Sequence, residues 1–119
     1  MANPNIVNVT TINGKTAVAN VSTTAADVVT NSAASNKIYK INSLIISNID
    51  GVNSADITAS LYRSSIEYRL ASTVAVPADA SLVVISKDNQ IYLEEGDTIR
   101  LTASANGDLQ AICSYEEIS

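Results

Sequence analysis

Apolar and polar residues alternate with a period of two through much of this chain, the pattern of strands that bury one face. In "ADITASLYR", Ile57, Ala59 and Leu61 alternate with Asp56, Thr58 and Ser60. "IEYRLAS" repeats the pattern with Ile66, Tyr68 and Leu70, and "DTIRLTAS" with Ile99, Leu101 and Ala103. Toward the C-terminus Leu109, Ala111, Cys113 and Tyr115 share one face. In "KIYKINSLIISNID", residues 37–50, Tyr39, Ile41, Ile45 and Ile49 fall on one parity while Leu44 and Ile46 fall on the other. Apolar side chains on both faces predict a long central strand. "VSTTAADVVTNSAASN", residues 21–36, reads as a loop that holds either a strand around Val28 and Val29 or a short helical turn.

Turn residues separate these runs. Asn13-Gly14, Asp50-Gly51 and Asn106-Gly107 supply positive φ in tight hairpins. Ser64-Ser65, Pro77-Ala78-Asp79 and Lys87-Asp88-Asn89 are weaker signals of the same kind. About eight strands with a turn every ten or so residues predict an all-β fold, a single antiparallel β-sandwich of jelly-roll or Ig-like type. Residues 1–119 form one domain, with residues 1–12 as an N-terminal arm or an edge strand. No internal repeat and no sustained helical stripe interrupts that reading.

Composition narrows what the sandwich is made of. The chain has 119 residues, 46% of them hydrophobic, with five Tyr and no Phe or Trp. The core is therefore built from small and β-branched side chains. Charged residues are only 16% and the net charge is −5. Seven scattered basic residues make no phosphate-neutralising patch, which argues against a nucleic-acid partner. No apolar run approaches the ~20 residues of a membrane span, and "MANPNIVNVT" has neither part of a signal peptide. The expectation is a soluble chain made in a cytoplasm.

Candidate chemistry is sparse. With one cysteine and no histidine, the chain lacks the commonest general base and cannot form an internal disulfide or a thiolate metal site. Cys113 lies on a predicted apolar face and reads as a small hydrophobe. "IYLEEGDTIR" gathers Glu94, Glu95 and Asp97 around Gly96. Catalytic carboxylate pairs usually come from separate strands, whereas Glu94 and Glu95 are adjacent and would point to opposite faces. A calcium loop requires a denser oxygen array. The segment therefore reads as a turn whose carboxylates form a solvated rim. Tyr39, Tyr62, Tyr68, Tyr92 and Tyr115 read as core-edge rings with wet hydroxyls. No catalytic, cofactor or metal residue is expected, and the chain is expected not to be an enzyme.

The run from Val76 to Ser119 resembles the C-terminal half of small virion structural proteins of tailed phages, particularly those of marine cyanobacteria. The residues that carry the likeness are "VPA…SLVV", "IYLEEGD", the "AS…G.L" hairpin and the terminal "SYEEIS". What the resemblance implies is a non-enzymatic virion component, made in the bacterial host and located on the particle. A capsid decoration or cement protein bound outside the head, often a trimer contacting the major capsid protein, is the favoured role. A tail, baseplate or fibre-associated component is the alternative, and a carbohydrate-binding module is disfavoured because no Trp can form a stacking platform. "ANPNIVNVTTI" presents Ile6, Val7, Val9 and Ile12 without a clean polar face. Those four residues are the expected contacts to a neighbouring copy or to the capsid, because an apolar, weakly charged chain end pairs in its own sheet or adds to another's.

Overall fold

A computed structural model describes residues 4–119, so residues 1–3 of the expected arm lie outside the described residues. The strands are β1 (Ile12–Val21), β2 (Ala26–Thr30), β3 (Ile38–Asn48), β4 (Ala55–Arg63), β5 (Ile66–Val76), β6 (Ser81–Ile85), β7 (Ile91–Leu93), β8 (Thr98–Ala103) and β9 (Leu109–Ile118). They form two antiparallel sheets, ordered β1-β9-β3-β6, with β7 also on β3, and β2-β8-β4-β5. Apart from the β4–β5 hairpin and the β6–β7 step, each connection carries the chain from one sheet to the other. That winding is the double Greek key of a jelly roll, which decides between the two sandwich types open from sequence. The expected eight strands become nine because a 3₁₀ turn, Lys87–Asn89, separates β6 from β7. Residues 21–36 contain the strand expected around Val28 and Val29, as β2.

Alternation is what fills the space between the sheets. Leu109, Ala111 and Cys113 of β9 meet Ile57 and Ala59 of β4 and Ile99, Leu101 and Ala103 of β8 in one buried cluster. β3 joins it with both parities. Its register against β9 slips between Ile41 and Ser43, so Asn42 is an extra residue that rotates the strand by one position. Ile41 before the bulge and Leu44 and Ile46 after it consequently all face the core, at 0% exposure. The sequence expectation placed Ile41 and Leu44 on opposite faces, and the bulge corrects it: Ile45 and Ile49 turn outward, with Ile49 53% exposed.

Turn expectations also change: Asp50-Gly51 and Asn106-Gly107 join strands of different sheets instead of closing hairpins, and of the two glycines only Gly107 takes positive φ. Asn13-Gly14 lies inside β1, where Gly14 opposes Glu116; the long pairing with β9 outweighs a local turn preference. The tightest hairpin is instead Ser64-Ser65, whose φ values of 52° and 61° are both left-handed, as a two-residue primed turn requires. β5 keeps neither its full alternation nor its burial: its register against β4 shifts between Arg69 and Ala71, so Leu70 is an extra residue that leaves the face of Ile66 and Tyr68. Ile66 and Tyr68 oppose Arg63 and Leu61 on the core side of the sheet, yet stay 52% and 53% exposed. β5 is an edge strand of eleven residues, and the facing strands at that edge, β6 and β7, have only five and three.

Candidate functional site

The carboxylate turn comes first because the sequence draws attention to it. Gly96 takes φ 88° and Asp97 N–H donates to the Glu94 carbonyl at 3.0 Å, so the segment is a turn as expected. Glu94 is exposed as expected, but the other two carboxylates are not part of a solvated rim. Asp97 is 1% and Glu95 5% exposed. Arg63 at the end of β4 reaches across, with Nε donating to Asp97 Oδ1 at 2.7 Å and Nη2 donating to Asp97 Oδ2 and to Glu94 Oε2. Asp97 also accepts from the Glu94 backbone N–H at 2.8 Å. Glu95 accepts the Asn36 backbone N–H at 2.9 Å. The carboxylates raise the pKa of Arg63 further above its already high ordinary value, the Asp97 hydrogen bond being the main cause. The reason for the correction is long-range: Arg63 lies over thirty residues away in sequence, and no local pattern announces the pairing.

Asn31 completes this end of the molecule. It is fully buried, and its side-chain amide donates to the Lys37 and Leu93 carbonyls at 2.9 Å each while its oxygen accepts from Ser35 Oγ at 2.6 Å. Its backbone N–H and carbonyl bond to Asp97 and Gly96. At the other end Asn48 plays the same part, donating to the Asn53 and Val76 carbonyls. Both asparagines hold loops shut, and nothing in their local sequence marks them as buried.

A second charged group sits between β1, β9 and the start of β3. Glu117 accepts from Lys15 Nζ at 2.9 Å and Lys37 Nζ at 2.6 Å, beside the stacked rings of Tyr39 and Tyr115, 5.3 Å apart. The Lys37 and then the Lys15 hydrogen bonds hold its carboxyl below the ordinary glutamate value. A depressed folded-state pKa stabilises the protein above the unfolded value, and that contribution is lost as pH falls through the folded one. We therefore expect wild-type stability to decline below about pH 4.5 partly through this group. Glu117→Gln should be less stable near neutrality and flatter on the acid limb. Urea midpoints measured between pH 6 and pH 3 check it; parallel curves for the two proteins would contradict it.

None of these groups is arranged for catalysis: the carboxylates are engaged with cations and backbone amides. Cys113 is fully buried and its thiol is pushed up to about 12 by desolvation, which keeps it protonated and unreactive. Among the described residues no group of three or more His, Cys, Asp or Glu could hold a metal ion.

What remains is surface, and the two outer faces differ. On the outer face of β2-β8-β4-β5, Arg100 donates to Asp27 at 3.0 Å and lies 3.7 Å over the Tyr62 ring, and Ser60 donates to Glu67 at 2.9 Å. That face is charged and internally paired. On β1-β9-β3-β6 the register aligns Val18, Ile112, Ile45 and Val83 in one row across all four strands. Val18 is 72%, Val83 56% and Ile112 44% exposed. The rows on either side are uncharged, with Thr16, Ser114 and Ser43 on one and Asn20, Gln110, Ser47 and Ser81 on the other. An open groove of about 410 Å³ lies along the β1–β9 part of this face, lined by Val18, Asn20, Gln110 and Ile112 among others.

The expected N-terminal contacts are distributed differently. Thr10 and Thr11 N–H both donate to the Ser119 carbonyl, and Ser119 N–H donates to Thr11, so the chain from Thr10 onward is tied to its own sheet. Ile12 opens β1 opposite Ile118 and is 57% exposed. Ile6 and Val7, at 52% and 84%, lie outside the sheet and are exposed, while Val9 is half-buried.

No family model and no curated protein matches this sequence. Among solved structures, the chain is similar to one from Bacillus endospore appendages, which form a novel family of disulfide-linked pili. The TM-score is 0.56 at 15% identity, over 100% of this chain and 96% of that one. At that identity the likeness is one of fold: the described residues form a β-sandwich of two packed antiparallel sheets.

Proposed function

We propose that this chain is a non-enzymatic structural subunit of a phage virion, a decoration protein that binds the outer surface of the head and stabilises the capsid. The observation that carries the proposal is the row of Val18, Ile112, Ile45 and Val83 on the outer face of β1-β9-β3-β6, with uncharged rows on either side of it. Scattered exposed apolar residues are normal, but an aligned row is a surface that meets another protein. The virion assignment follows the resemblance of Val76–Ser119 to phage structural proteins. Its partners are then the major capsid protein and further copies of itself, as a homotrimer.

Cohesion in such an assembly is non-covalent. The appendages of similar fold are disulfide-linked, whereas the single cysteine of this sequence is sealed in the core. Ile6, Val7, Val9 and Ile12 are available to supplement the face, with residues 4–9 outside the strands and so placed to reach a neighbour. Antibody labelling of purified particles, read by electron microscopy, tests the proposal. Label over the outer head surface is the expected result. Label confined to the tail moves the role to a tail or fibre component, and particles devoid of the protein overturn it. Deleting Met1–Val9 should weaken binding to stripped heads while leaving the β circular dichroism unchanged.

A further inference from the structure

We infer that the open edge of β1 pairs antiparallel with β1 of a second copy of this chain, joining two β1-β9-β3-β6 sheets into one continuous sheet across a two-fold axis at Thr16. The inference rests on the reading of the chain as a self-assembling subunit and names the edge that meets its own copy. The direction of the backbone groups follows from one end of the ladder. Thr11 N–H donates to the Ser119 carbonyl and Ser119 N–H to the Thr11 carbonyl, both at 3.0 Å, so these two residues form a hydrogen-bonded pair. The register with β9 then runs from Ile12 opposite Ile118 to Val21 opposite Leu109 without a shift. Bonded and non-bonded pairs alternate in an antiparallel ladder. The N–H and C=O of Ile12, Gly14, Thr16, Val18 and Asn20 therefore point away from β9, and among the described residues β1 pairs with no other strand.

The other edges are blunted and β1 is not. β5, β6 and β2 each carry an extra residue that shifts the register: Leu70 between Arg69 and Ala71, Val84 between Val83 and Ile85, and Val28 between Asp27 and Val29. Bulges twist an edge out of line for strand addition. β2 and β6 are also only five residues long, and β7 has three. β1 has ten residues, no bulge and no Pro. Its one charged side chain, Lys15, is held by Glu117 at 2.9 Å. An edge so long and regular is a template for a second strand. Its own copy fits it in one register above all. The outward residues have even numbers, and centring the pair on Thr16 is the arrangement that uses every one of them: Ile12 meets the partner's Asn20, Gly14 the partner's Val18, and Thr16 the partner's Thr16. Thr–Thr pairs across strands are favourable. Lys15 falls opposite the partner's Ala17, so the two lysines do not face each other. β1 holds no acidic side chain, so a chain of net charge −5 meets itself along an edge without carboxylates. The contact is isologous and closes on itself. It covers no sheet face, so the apolar row and residues 4–9 stay open to the capsid and to the other copies of a trimer.

Thiol cross-linking tests this. Cys113 is buried, so Thr16→Cys introduces the only accessible thiol. Across the two-fold axis the Cα atoms at this position are ~5.5 Å apart, inside the range a disulfide spans, and mild oxidation should give a covalent dimer. Val18→Cys is the register control. Its two copies lie four residue steps apart, ~13 Å along the strand, and should stay unlinked. As a second measurement, Thr16→Pro removes both hydrogen bonds at the two-fold axis while sparing the chain's own ladder, because the Thr16 N–H faces away from β9. Self-association read by sedimentation should weaken on the order of 30-fold, with the β circular dichroism unchanged. Failure of Thr16→Cys to link, linking of Val18→Cys in its place, or sedimentation of unmodified protein as a monomer at high concentration would overturn the inference. So would a folded Thr16→Pro protein whose sedimentation is unchanged. Particle labelling separates this from the function reading. Labelled heads with no Thr16→Cys link remove only the edge pair, and a linked dimer absent from particles removes only the virion.

Discussion

Asp97→Ala should lower the free energy of unfolding by about 3 kcal/mol. Asp97 is 1% exposed, and its side chain accepts from Arg63 Nε and Nη2 and from the Glu94 N–H. Removing it leaves the guanidinium with Glu94 as its acceptor and frees a backbone donor. A fully buried pair broken on one side costs about 3–5 kcal/mol. The Arg63 side chain is 41% exposed, so water recovers part of that loss and the low end applies. Asp97→Asn keeps the shape and can still accept from Glu94, and should cost roughly half as much. Urea unfolding of the three proteins at pH 7 decides it. A loss below 1 kcal/mol for the alanine variant would mean that Arg63 finds its partner elsewhere.

Asn31→Ala should cost a comparable amount, about 3 kcal/mol, by a different route. It withdraws the donors that serve the Lys37 and Leu93 carbonyls, and each buried carbonyl left short costs ~1–3 kcal/mol. Asn31→Asp is the sharper experiment. A carboxylate of the same shape has no protons for two carbonyl oxygens and would sit near Asp97 and Glu95. Its pKa in the folded protein should be raised, so the variant is stabilised below that raised value and loses stability as pH rises through it. At pH 7 it should be at least as unstable as the alanine variant, with the deficit shrinking toward pH 4. A deficit that does not change with pH would show that the site admits water.

Element identity was legible in the sequence because strands that bury one face must alternate, and β4, β8 and β9 do so residue by residue. β3 was legible as a strand but not in its facing, because a single inserted residue at Asn42 changes parity without any local signature. The Asn13-Gly14 dipeptide misled for a related reason: turn preference is worth little beside a ten-residue pairing with β9. At the carboxylate turn the local conformation was readable from Gly96, while the burial of Glu95 and Asp97 depends on Arg63 and Asn36, which only the fold brings close. The exposed row was invisible for the same reason. Its four residues come from four strands, and only the register lines them up.

The position of β9 has a consequence for how the protein is made. β9 lies between β1 and β3, pairing Ile118 with both Ile12 and Ile38, yet it leaves the ribosome after every other strand. Until then β1 and β3 have no strand between them, and the sheet that carries the apolar row cannot form. Folding of this domain therefore waits for the synthesis of β9, with a slow closure typical of distant strand pairings. During that interval the bare edges of β1 and β3 are open to strands from other nascent chains, so high-level synthesis sets a kinetic contest between insertion of the chain's own β9 and aggregation.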